Sequence, residues 1–184
     1  MVKVGRAVNA VESGIRFMSD YIDDMSPVGR RQFYRAFFTT CGFMYESLDL
    51  IISLRLKFVS RPYFNDLHQL IDNKYNKHRK ILKEIRNSIA FHLDADDKST
   101  KLALSNLKLS RYDLMSGQSQ LMRDLYFDMA DTIDLNYLID RFKDGRPEEE
   151  IIVLIREVMK SFGSAGHQFL AGIAKEMNIA DYID

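Results

Sequence analysis

Arg86, Asn87 and His92 are the residues whose types and spacing in this 184-residue chain suggest chemistry. They stand in Glu84-Ile85-Arg86-Asn87-Ser88-Ile89-Ala90-Phe91-His92, an Arg-Asn pair followed by a mostly apolar run and a histidine. Histidine moves a proton near neutral pH. Arginine offers permanent, planar, multidentate donors to an anion. On one helix the two lie about 9 Å apart along the axis and about 120° apart around it, so they do not strictly share a face. A long Arg side chain reaching over a fraying helix end brings their heads into one cleft. A two-fold interface does the same by pairing each Arg with the other copy's His. A plainer account stays open. His92 continues the stripe Leu82, Ile85, Ile89 and also fits a hydrogen-bonded core histidine near a helix C-terminus, where a protonated ring complements the dipole. Arg86 also fits a surface ion pair.

Lys74, Lys77, Arg79, Lys80 and Lys83 precede the trio with little intervening negative charge. They suit a strip that tracks phosphates towards Arg86, or equally a solvated helix face. Asp124, Asp128, Asp131 and Asp134 mark an acidic surface further on, read as a solvent face. No metal site is expected. His78 and His92 fall about 21 Å apart on one helix axis, too far to share an ion, and no His-Glu-x-x-His or Glu-x-x-His pattern occurs. His167 is read as structural, and Cys41, on an apolar stripe without basic neighbours, as a buried inert thiol. Glycine-rich phosphate loops, nucleophile elbows and dinucleotide fingerprints are absent, so no cofactor is expected.

The elements that must position these residues are helical. Val8, Val11, Ile15, Met18 and Ile22 recur at 3–4 spacing and predict a helix from about Val4 to Asp23. Ser26-Pro27 reads as an N-cap with Pro at the first helical position. Phe37, Cys41, Met44, Leu48 and Ile51 carry that second helix to about Val59. Arg61-Pro62 breaks it. A third helix is predicted to run on to about His92 or Leu93, through Leu67, Ile71, Tyr75, His78, Leu82, Ile85, Ile89 and His92. Asp94 to Ser99 ends it, Thr100 to Leu107 suits a short helix, and Lys108 to Leu114 alternates loosely. Gln118 to Phe142 predicts a fourth long helix. The last opens with Pro147 and Glu148-Glu149-Glu150, three carboxylates where the helix dipole favours them, and runs through Ile151, Ile155, Val158, Phe162, Phe169, Ile173 and Met177. Gly163-Ser164-Ala165-Gly166 interrupts that stripe with small residues, which kink a helix or admit a close neighbour. The aromatic group Phe33, Tyr34, Phe37, Phe38, Phe43 and Tyr45 wraps more than one side of its helix, as core with some dimer surface. An all-α bundle of about five long helices plus one short one follows, as a single domain over residues 1–184.

Composition agrees. Few Pro (3) and Gly (9), with 28% charged residues, disfavour disorder and loop-rich β folds. Basic and acidic residues balance at 26 each, which disfavours coating nucleic acid by net charge yet permits a local basic patch. A single cysteine excludes an intrachain disulfide and a cysteine-based zinc cage. The N-terminal residues lack the apolar core of a signal peptide. Ala36 to Tyr45, the longest nearly uncharged stretch, is far short of the ~20 residues a membrane span needs. A cytoplasmic location without membrane association is expected.

Arg86, five intervening residues and His92, with polar Asn87 after the Arg, resembles the motif of the HEPN superfamily (higher eukaryotes and prokaryotes nucleotide-binding): Arg, four to six residues, then His, near the end of a long helix in a helical bundle. The resemblance implies a metal-independent endoribonuclease of a prokaryotic defence or toxin–antitoxin type, cleaving RNA by attack of its own 2′-hydroxyl. Its site would form where two copies pair as a homodimer, and an antitoxin or inhibitor protein would be a further partner. His92 would transfer the proton, Arg86 stabilise the phosphate and Asn87 position phosphate or ribose. An acidic residue that orients the Arg or His often accompanies the motif, for which Glu46, Asp49 and Glu84 are candidates. The tyrosine that some paired toxins carry two residues past the His is absent, since His92-Leu93-Asp94 stands there. A non-catalytic nucleotide-, RNA- or protein-binding module of the same fold is the alternative, and a helical scaffold with a merely structural motif a third.

Overall fold

The computed structural model describes residues 1–24, 26–72, 75–87 and 148–178. These form α1 (Val2–Tyr21), α2 (Pro27–Phe58), a 3₁₀ turn (Pro62–Phe64), α3 (Asn65–Gln69), α4 (Asn76–Ile85) and α5 (Glu148–Glu176), with no strand among the described residues. The architecture is an all-α bundle. The expected short helix at Thr100–Leu107, the loosely alternating Lys108–Leu114 and the fourth long helix at Gln118–Phe142 lie outside the described residues, as do Pro147 and the acidic positions Asp124, Asp128, Asp131 and Asp134.

The start of α2 follows from its sequence. Ser26 is extended and its Oγ accepts from the Gly29 N–H at 3.0 Å, with Pro27 next in the first turn. Asp24 Oδ1 in turn accepts the Ser26 N–H at 2.9 Å. Hydrogen bonds from Ser26 hold the Asp24 carboxyl below its ordinary pKa. Glycine is needed at 29, because a Cβ there would overlap the Asp24 carboxylate.

Antiparallel to both neighbours, α1 lies between α2 and α5. Gly14 faces Thr40 on α2, while Glu12 faces Gly163 and Val8 faces Gly166 on α5. The small-residue run in α5 is thus a place of close approach. A Cβ at Gly166 would overlap the fully buried Val8 side chain, and Ala165 beside it is buried too. The predicted stripes form the core: Val4, Val8, Val11 and Met18 from α1; Phe37, Cys41, Met44, Leu48 and Ile51 from α2; Ile151, Ile155, Val158, Phe162, Phe169 and Ile173 from α5. Phe37 and Phe38 are buried and Phe33, Tyr34 and Tyr45 partly so, while Phe43 lies exposed. Cys41 is fully buried and desolvation pushes its thiol well above the ordinary value.

The third helix predicted to run to His92 is not continuous. Hydrogen bonds shorten to i→i−3 at Leu70, Ile71, Asp72 and Tyr75, and the chain turns between α3 and α4. The apolar period survives the break because Leu67 and Leu70 before it, and Ile81, Leu82 and Ile85 after it, meet the same core. Period alone does not separate one helix from two that share a core, and Asp72 is a residue type that favours turns.

Around the joint, the Tyr63 and Phe64 rings close over α5. Phe169 lies 5.2 Å from Phe58, 5.7 Å from Phe64 and 5.8 Å from Tyr63, centroid to centroid. Tyr63 sits against Gly172, where a Cβ would overlap its ring. Its hydroxyl donates to Glu176, which also pairs with Arg61 at 2.8 Å. This bond to a carboxylate raises the Tyr63 pKa. Past Glu176 the chain ends its helix with Asn178 in the left-handed region (φ 53°), a conformation asparagine tolerates.

Two helical glycines should respond in opposite directions. Gly5 has open surroundings, its nearest neighbour a Leu170 methyl at 4.0 Å. Gly5→Ala should therefore stabilise by about 0.4–1 kcal/mol through helix propensity. Gly166→Ala should destabilise by about 1–2 kcal/mol, because overpacking against buried Val8 outweighs that gain. Urea midpoints with unchanged slopes would show both.

Candidate functional site

After the joint, α4 runs back along α2, which brings Arg86 at its C-terminal end beside Glu46 in the middle of α2. Arg86 Nε donates to Glu46 Oε1 at 2.8 Å, and Arg86 Nη1 donates to Asn87 Oδ1 at 3.0 Å. The Arg86 side chain keeps 31% of its exposure and that of Glu46 49%. The guanidinium is therefore oriented by two neighbours yet open to solvent. Of the carboxylates considered from sequence, Glu46 supplies this bond.

The backbone at Arg86 and Asn87 opens into a wider, π-type turn. Such turns insert extra chain into a helix and re-aim the residues beyond them. His92 and Lys74 lie outside the described residues.

The remaining basic residues do not all fall on one line of the helix. Ile81, Leu82 and Ile85 are buried and define the inner side of α4. Lys80 and Lys83 are exposed, while Lys77 and Arg79 are half-buried. Helical rotation spreads the four around the outer part of the helix.

His167 Nε2 lies 2.7 Å from Glu12 Oε1, tying α5 to α1 at an exposed position. The His68 ring lies tilted, 6.2 Å from Phe64 between centroids, and the His78 ring lies 5.5 Å from Tyr75. Among the described residues no group of three or more His, Cys, Asp or Glu side chains is placed to hold one metal ion, and no helix is long and apolar enough to cross a membrane.

Sequence reasoning missed an open apolar groove of about 400 Å³ between α1 and α2, floored by Gly14 and Thr40 and rimmed by Phe17 and Phe43. Its signal was present as Ala10, Gly14, Ala36 and Thr40, small side chains at i, i+4 spacing on two neighbouring helices. Glu46, Arg86 and Asn87 are not among its lining residues.

No protein-family model, curated protein or solved structure matches this chain. The likeness to the HEPN superfamily accordingly rests on Arg86, Asn87 and His92 within a helical architecture.

An ion pair this exposed adds little stability. A double-mutant cycle between positions 46 and 86, read from unfolding free energies, should give a coupling of about 0.2–1 kcal/mol that shrinks with salt. The same cycle between Asp49 and Arg86 should give a value near zero.

Proposed function

We propose that this chain is a HEPN-like, metal-independent endoribonuclease of a prokaryotic defence or toxin–antitoxin type, acting in the cytoplasm as a homodimer with its site at the seam. The observation that carries the proposal is the Arg86 guanidinium, fixed through Nε by Glu46 and through Nη1 by Asn87 while still open to solvent. A phosphate ligand needs a donor group held in place before it arrives, and a guanidinium already steered by a neighbouring helix meets that need.

Cleavage would proceed on the RNA's own atoms. The His92 imidazole takes the proton from a ribose 2′-hydroxyl as the O2′–P bond forms. Negative charge builds on the pentacoordinate phosphate, where Arg86 donates to the equatorial oxygens. The P–O5′ bond then breaks, and a protonated imidazole, of this copy or its twin, returns a proton to the departing oxygen. The products are a 2′,3′-cyclic phosphate and a 5′-hydroxyl. Glu46 is a positioning residue for Arg86 in this scheme. An antitoxin or inhibitor protein would restrain the activity.

Incubating the purified chain with total RNA in EDTA tests the proposal, with fragment ends as the readout. Cleavage ending in a cyclic phosphate is expected. His92→Ala should lower the rate by about 10²–10⁴-fold and Arg86→Ala by about 10²–10³-fold, with helix content and dimer retained. Arg86→Lys should not restore the rate, since an ammonium lacks the planar fork. Full cleavage by both alanine variants would remove the assigned roles. Affinity for RNA without turnover would assign a binding module instead.

A further inference from the structure

Residues seven apart on an α-helix return to nearly the same side, about 20° off and about 10.5 Å along the axis. Arg79 and Arg86 are such a pair, and Lys83 falls between them, four residues after Arg79 and three before Arg86. The three make one basic file on a flank of α4, the flank from which Arg86 reaches Glu46 on α2. Lys80 sits about 100° from Arg79 around the axis, and Lys77 and Glu84 fall on the opposite flank.

The two arginines differ in company. Arg86 Nε has Glu46 as its acceptor. Arg79 Nε is screened from solvent and has no hydrogen-bond acceptor among the described residues. Leaving a buried donor of a charged group unsatisfied costs about 1–3 kcal/mol or more, and native structures rarely keep such a group without a use for it. Arg79 as a whole is half-buried, so part of the residue still reaches solvent although its Nε does not. A small turn of its last torsions would present Nε and one Nη together as the two-pronged edge that phosphate oxygens fit.

We propose that Lys83 and Arg79 hold the next two RNA phosphates along the strand from the one gripped by Arg86, with Arg79 receiving from its phosphate the acceptor it lacks. This rests on the ribonuclease reading of Arg86 and names how the substrate strand lies along α4. The strand runs along one flank of the helix, with Lys83 between two guanidinium anchors.

The test is binding of a fluorescent, fully 2′-O-methylated single-stranded RNA, which lacks the attacking hydroxyl, to the full chain across a salt series. Arg79→Gln and Lys83→Gln should each weaken binding about five- to tenfold and flatten the slope of log K against log salt by about 0.7, the increment for one phosphate contact to a single strand. Lys160→Gln, on α5, serves as the control for loss of one positive charge. Arg79→Met should keep or raise the melting temperature, because it removes an orphaned donor. A lower melting temperature with unchanged affinity would make Arg79 a structural arginine and overturn the proposal. Unchanged affinity and slope in Arg79→Gln, beside metal-free cleavage by the wild type, would sink the phosphate file and leave the ribonuclease standing. Weakened binding in Arg79→Gln with no cleavage by the wild type would do the reverse. No RNA binding by the wild type at low salt would remove both.

Discussion

The position of α1 between its two neighbours sets everything else in this bundle. At Gly14 and Gly166 the helices come so close that no side chain fits on one partner, so the α1 backbone is pressed against Thr40 on one side and Val8 is pressed against α5 on the other. Interiors packed at crystal-like density do not deform gradually. Spacing between α1 and α2 is thereby fixed, and with it the face that α2 turns towards α4. Ile51, Leu48 and Met44 point into the core, which leaves Glu46 on the side that α4 approaches. The Arg86 contact is a consequence of that packing rather than a cause of it.

Energetically the Glu46–Arg86 bond is modest, since both groups remain in water to a large extent and exchange good hydration for one charge-assisted bond. Its effect is on direction. A solvated arginine samples many rotamers, and losing that freedom on binding a ligand costs affinity. With Nε committed to a carboxylate on a rigid 32-residue helix and Nη1 to Asn87, much of that freedom is already gone. An aspartate at 46 would be one methylene short of the reach that glutamate has, and Asp49 lies nearly a full turn further along α2.

Much of the architecture was legible in the sequence because its signals are local. The apolar stripes of α1, α2 and α5, the Ser26 cap and the small residues of α5 each report on a few neighbouring turns, and the helices follow them. The joint between α3 and α4 was not legible. Leu67, Leu70, Ile81 and Leu82 keep a helical period across it because both pieces line the same core, so the pattern records burial and not continuity. The site divides in the same way. Arg86 and Asn87 were singled out by type and spacing alone, whereas their contact with Glu46 depends on how α4 returns along α2, a tertiary fact that no spacing encodes. The separation of Arg79, Lys83 and Arg86 from the other basic residues needed the true phase of α4, which a string of lysines and arginines obscures.

That file also resolves an apparent conflict with composition. Equal numbers of acidic and basic residues leave the chain with no net charge to attract a polyanion. Yet Arg79, Lys83 and Arg86 gather three positive charges within about 10.5 Å of helix, with Glu46 paired to the last of them. Such a field is local. At physiological ionic strength it decays over about 8 Å, too short to gather RNA from a distance but long enough to orient a strand already in contact. On the proposed reading, a neutral protein with a short, directional basic file would select how a strand lies across Arg86. A uniformly basic protein of the same size would hold RNA in many registers, few of which would place a 2′-hydroxyl and its phosphate in line with the guanidinium.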